Sequence, residues 1–143
     1  MLPFETSKSF VRLTQNIQMF FKNFDSKLER EVFSLKFKIL LCILENKQIS
    51  PTKLVEFLGL AKSNVAKFCK ELEDENKICS VGDENDRRGK YYSLTKGGEK
   101  YVYSCLTSLE KALGKLSESD LNEVISAVDF LNKILPSKGE ENA

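Results

Sequence analysis

SPTKLVEFLGLAKSNVAKFCKELEDENKICSVGDENDRRGKYYSLTKGG, Ser50 to Gly98, is the stretch whose reading decides the fold. Ser50 before Pro51 is a helix start, a capping hydroxyl ahead of a residue whose missing N–H costs nothing at the first helical position. Leu54, Phe57 and Leu58 supply an apolar stripe at helical spacing, and Gly59 stops it. The pattern predicts a second helix from Lys62 to Glu75. Val65, Phe68, Cys69 and Leu72 face inward at i, i+3, i+4 and i+7, and Ser63, Asn64, Lys67 and Lys70 face outward. Asn76 suits a left-handed stop that hands over to a strand at Ile78–Val81, with Gly82–Lys90 as the tip and Tyr91–Leu94 as the returning strand. Two short helices and a hairpin with a basic tip are the pattern of a winged helix-turn-helix.

Within this stretch, DRRGKYYSLTKGG, Asp86 to Gly98, resembles the wing signature of the MarR family of bacterial and archaeal transcription regulators, an Asp-x-Arg followed by Leu-Thr-x-x-Gly. SNVAKFCKELEDENKI, Ser63 to Ile78, is similar to that family's recognition helix and the turn after it. The resemblance covers the central third of the chain closely and the flanking helices by pattern. This sequence departs from it at Glu71 and Ser80, where family members often carry Arg, and at Asn76, which replaces the turn glycine and can adopt the same conformation.

The resemblance implies a dimeric, sequence-specific DNA-binding transcriptional regulator, with terminal helices that interlock across a two-fold axis. A symmetric reader requires a pseudo-palindromic double-stranded operator whose half-sites lie about 34 Å apart. Ser63, Asn64 and Lys67 are the candidates for base edges or nearby phosphates, and Lys62 and Lys70 for phosphates. Asn64 is the candidate specificity residue, because an amide can make two hydrogen bonds to adenine. As the family motif implies, Arg88 reaches the adjacent minor groove and is oriented by Asp86, with Arg87 and Lys90 against the backbone. The bland alternative for Asp86 is a wing-turn residue capping its own backbone. The alternative for the charged helix face is simple solvation.

Composition narrows the classes. With 22 basic and 21 acidic residues the net charge is +1, so any attraction for DNA must come from local segregation. Lys62, Lys67, Lys70, Arg87, Arg88 and Lys90 supply it, while Glu73, Asp74 and Glu75 sit at the far end of the same predicted helix. The 41% hydrophobic and 30% charged content is that of one globular domain. Neither a spanning helix nor a secretory signal is visible, so the expected location is the cytoplasm. No histidine and no CxxC pair are present, which removes the usual zinc patterns, and no cofactor or metal is expected. Enzyme activity is not expected either, because neither a histidine base nor a Gly-rich phosphate loop occurs. Cys69 and Cys105 fall on apolar stripes and read as small hydrophobes.

Outside the central stretch, Phe10, Leu13, Ile17, Phe20 and Phe24 form a heptad-like seam on a first helix from Thr6 or Ser7 to Phe24. Leu28, Val32, Leu35, Ile39 and Ile43 predict one second helix, capped by Asp25 or Ser26 and running to Asn46. Residues Lys47 to Ile49 form a connector that can add a third strand. Thr95 can cap a long helix carrying Tyr101, Val102, Cys105, Leu106, Leu109, Leu113 and Leu116. It should bridge the reader to the terminal helices. Ser117 opens a last helix with Leu121, Val124, Ile125, Val128, Leu131 and Leu135 inward, ended by Pro136. The predicted architecture is mainly α with a small β-wing: six helices, a winged-helix lobe at residues 48–98, and dimerisation helices at 1–30 and 110–143. Its effector would be a small apolar or phenolic molecule in the crevice between lobes, near Phe10, Phe37 and Tyr101. A thiol-based sensor using Cys42 or Cys105, and a winged-helix module that binds protein, are the competing readings.

Overall fold

The structure is a computed structural model that describes residues 3–83 and 86–135, with residues 83 and 86–88 described by their backbone alone. Helix α1 spans Phe4–Phe24, preceded by Pro3, whose φ of −60° already suits a helical turn, so it starts two residues before the expected point. Asp25 then breaks the chain with φ −160° and caps α2, Ser26–Val32, accepting from the Lys27 and Leu28 amides at 3.0 and 3.1 Å. The single second helix expected from periodicity is in fact two. Ser34 ends the first by donating its hydroxyl to the Glu31 carbonyl, and starts α3, Leu35–Asn46, by accepting from the Phe37 amide at 3.1 Å. Seven helices, not six, occur among the described residues.

Helix α3 is the hub. Phe37, Ile39, Leu40, Cys42 and Ile43 are all buried, so its apolar surface runs most of the way round. Its neighbours are α2, α4, Pro51–Leu58, α5, Lys62–Asp74, and α6, Lys96–Leu113. Leu28, Val32, Leu54, Val65, Cys69, Leu72, Val102 and Cys105 join it in one contiguous core. Burying each of the larger aliphatic chains contributes roughly 1.5–3 kcal/mol.

Local signals behave as their chemistry predicts. Ser50 accepts from the Lys53 amide at 3.2 Å, and Gly59 is left-handed with φ 63°. Asn76, at φ 60°, closes α5 with the paired bonds of a Schellman turn, Lys77 N–H to the Leu72 carbonyl at 2.9 Å and Asn76 N–H to the Glu73 carbonyl at 3.0 Å. Strand β1, Ile78–Asp83, pairs antiparallel with β2, Asp86–Leu94, from Ile78↔Leu94 to Gly82↔Lys90. The strands run further into the wing than the expected Ile78–Val81 and Tyr91–Leu94, because a two-stranded ribbon keeps both faces of its tip in water and tolerates polar residues there. The proposed third strand is reduced to one bridge, Ile49↔Tyr92.

Thr95 caps α6, accepting from the Gly98 amide at 2.9 Å and donating to the Asn76 carbonyl at 2.6 Å. As expected, α6 spans both regions, packing on β2 and α3 and also on α2 and α1. The last helix, α7, spans Glu118–Ile134 with the Ser117 cap in place. Its six expected inward residues are not inward in the single chain, since no residue of α7 is buried. The same holds for α1, where Phe10 is 50% exposed. Pro136 lies outside the described residues. No helix of the described residues is long and apolar enough to cross a membrane.

Candidate nucleic-acid interface

Helix α5 is anchored by Val65, Cys69 and Leu72, each at or near zero exposure. Fixing that side fixes the opposite one. At 3.6 residues per turn, Ser63, Asn64, Lys67 and Lys70 fall within roughly one third of the circumference, and all four are exposed. Lys62 is also exposed but stands round the helix from them. It lines a cavity of about 310 Å³ with Pro51, Thr52, Val55, Val65, Ala66, Lys90 and Tyr92. Sequence reasoning grouped Lys62 with Lys70; the structure groups it with Lys90, at the angle between α4, α5 and β2. The turn between the two helices sets this angle, through Gly59 and the uncapped start of α5 at Ala61.

The remaining wing candidates divide. Lys90 is exposed, with its ammonium 4.0 Å from Glu73 Oε1 and 5.1 Å from the centre of the Tyr92 ring. A hydrogen bond with Tyr92 holds the Lys90 pKa above its ordinary value, and burial raises that of Tyr92. The side chains of Asp86, Arg87 and Arg88 lie outside the described residues, although their backbone forms the start of β2.

Two positions where the family pattern often has Arg are occupied by groups with partners inside the chain. Glu71 lies 3.4 Å from Lys36 Nζ, and Ser80 donates its hydroxyl to Glu73 Oε2 at 3.4 Å. Lys36 also reaches Glu75 at 2.6 Å, and this hydrogen bond lowers the Glu75 pKa and raises that of Lys36. The acidic end of α5 is thus tied to α3 and to the wing. Lys36, 39 residues before Glu75, gave no sign of this in sequence, because the pairing exists only once α3 and α5 are packed.

The expected effector residues sit in different surroundings. Phe37 is buried and meets Tyr101 edge-on with ring centres 6.3 Å apart, so these rings fill the core. Lys77 covers the Tyr101 ring at 4.0 Å, and burial pushes the phenol's pKa well above its usual value. Phe10 belongs to the exposed face of α1. The cysteines split in the same way. Burial pushes Cys42 and Cys69 up to about 11 and raises Cys105, which holds all three as protonated thiols at neutral pH. Cys79 is exposed, beside the Ser93 hydroxyl at 3.3 Å.

Residues 34–90 match the MarR family. The transcriptional repressor MprA of Escherichia coli K12 is 29% identical over 87 residues, covering 56% of this chain and 49% of that protein. The chain spans about half the length of the curated relatives it matches. Among solved structures, wild-type apo MarR from E. coli superposes with a TM-score of 0.68 at 20% identity, covering 95% of this chain and 98% of that one. A mutant E. coli MarR complexed with operator DNA superposes with a TM-score of 0.59 at 22% identity, covering 90% and 96%. These likenesses establish the fold, a winged helix with helical extensions at both ends.

Proposed function

From the match of residues 34–90 to the MarR family and the likeness of the described chain to the MarR fold, we propose that this protein is a dimeric transcriptional repressor that reads a pseudo-palindromic operator. The observation that carries the reading is the outward face of α5. Ser63, Asn64, Lys67 and Lys70 are exposed together on a helix locked from behind by Val65, Cys69 and Leu72. In this reading Asn64 supplies base selectivity, Lys67 and Lys70 supply attraction to bases or phosphates, and the wing with Arg87, Arg88 and Lys90 follows the backbone into the minor groove. That a relative is named a transcriptional repressor, and that a structural neighbour is held on operator DNA, supports the assignment.

Dimerisation rests on the unburied apolar faces of α1 and α7, which include Phe10, Leu13, Ile17, Ile125 and Val128. Exposed patches of this kind mark interaction surfaces. Release comes from a small apolar or phenolic ligand that binds the DNA-incompetent arrangement more tightly than the competent one. The raised pKa values of Cys42 and Cys105 disfavour the thiol-sensor reading at the two positions it invoked. A gel shift on the chain's own upstream DNA should give a discrete complex that an aromatic acid weakens and mild peroxide leaves unchanged. Loss of the complex with peroxide alone would transfer the assignment to a thiol sensor.

A further inference from the structure

We propose that Glu73 is an intramolecular stand-in for a DNA phosphate: in the free protein it holds Lys90 of the wing against α5, and duplex DNA must displace it to recruit that lysine. The inference rests on the DNA-binding reading and adds to it an autoinhibitory contact within the reader.

Strand register puts the participants on one face. Ser80 pairs with Tyr92 and Gly82 with Lys90, so alternation turns all four toward the same side of the ribbon. That side is the one covered by α5, because Tyr92 is buried whereas Val81 and Tyr91, one residue out of phase, are exposed. Glu73 meets both strands there, one carboxylate oxygen accepting from the Ser80 hydroxyl at 3.4 Å and the other 4.0 Å from Lys90 Nζ.

The position of Glu73 gives it little other benefit. A carboxylate in the last turn of a helix opposes the macrodipole, and one beside a DNA-facing surface repels phosphate. Its neighbour Glu75 is already engaged with Lys36 and Lys77. Glu73 is therefore the acid at this helix end that turns to the wing. The Lys90 pair is long and half exposed, which makes it weak. A weak pair suits exchange: a phosphate can take over the ammonium without a large barrier. When it does, Glu73 regains a counterion while the DNA loses one, so the exchange contributes almost nothing to the salt dependence of binding.

The test uses Glu73→Gln, which keeps an oxygen for the Ser80 hydroxyl, together with Lys90→Gln and the double variant, on a random-sequence duplex across a salt series. Glu73→Gln should tighten binding about fivefold per subunit at low salt and steepen the slope of log affinity against log salt by up to ~0.9 per subunit. In the Lys90→Gln background the same change should gain almost nothing. An equal gain in both backgrounds would mean plain charge repulsion and would overturn the proposal, as would no gain in either. Hydrogen exchange in the free proteins separates this from the DNA reading. Glu73→Gln and Lys90→Gln should both speed exchange of the amides that pair Val81 with Tyr91, next to this contact, even if no variant binds DNA. Unchanged exchange in both would leave no brace to displace.

Discussion

Lys47 has φ 64° and ψ −54°, and the Gln48 amide bonds back to the Asn46 carbonyl at 2.7 Å. This is a γ-turn of the rare, strained kind, in a residue with a β-carbon. It persists because both sides are held: the Asn46 side chain bonds the Cys42 carbonyl at 2.7 Å, and Ile49 pairs with Tyr92. Lys47→Gly should therefore stabilise the fold by about 1 kcal/mol, the relief of strain outweighing the entropy of an added glycine. Urea denaturation checks this, and a loss of stability would mean that the Lys47 side chain contributes more than its backbone costs. Caps such as Ser50, Thr95 and Ser117, and the left-handed stops Gly59 and Asn76, were legible in sequence because each acts within four residues of itself. Lys47 was not, because its conformation is imposed by what flanks it. The pairings of Glu71, Glu73 and Glu75 were hidden for the same reason, since their partners Lys36 and Lys90 arrive from other elements.

Periodicity served well for most elements and failed at two kinds of place. Leu28, Val32, Leu35, Ile39 and Ile43 keep helical spacing straight through the break between α2 and α3, so the pattern concealed it, and only the double hydrogen bonding of Ser34 marks the boundary. The second failure is Gly98, whose role no hydrophobic spacing announces. A β-carbon there would collide with the Lys77 carbonyl, so the glycine lets α6 pass directly against the end of α5. Thr95 completes the joint with its bonds to Asn76 and Lys77. The reader and the long bridging helix are thereby fastened at one point, and any tilt of α6 must move α5. Gly98→Ala should cost about 1–3 kcal/mol, because the obstructing atom is backbone and cannot rotate away. Gly97→Ala serves as the control, its nearest neighbours being at 3.7 and 3.8 Å. Equal thermal shifts for the two would contradict the close approach.

Across the whole molecule, burial is distributed unevenly. The core lies around α3 and the winged helix, while α1 and α7 contribute no buried residue, and Val128 is 48% exposed. The seam on α1 and the stripe on α7 were visible in the sequence; that a single chain leaves both uncovered was visible only in the fold. If they are covered by a second copy, sedimentation will find a dimer that does not dissociate to a folded monomer at micromolar concentration, and Val128→Glu will weaken it. A stable folded monomer would remove the two-fold reader and the palindromic operator with it. The central claim, that the outward face of α5 reads DNA, is tested most directly by operator and random-duplex binding across a salt series for Asn64→Ala and Lys70→Ala. Lys70→Ala should weaken both DNAs alike and shrink the salt slope by roughly 1.8 for a dimer, at ~0.9 per phosphate contact. Asn64→Ala should lose about 1–3 kcal/mol per half-site on the operator and little on random duplex. Equal losses on the two DNAs for Asn64→Ala, with no change of slope for Lys70→Ala, would contradict the account.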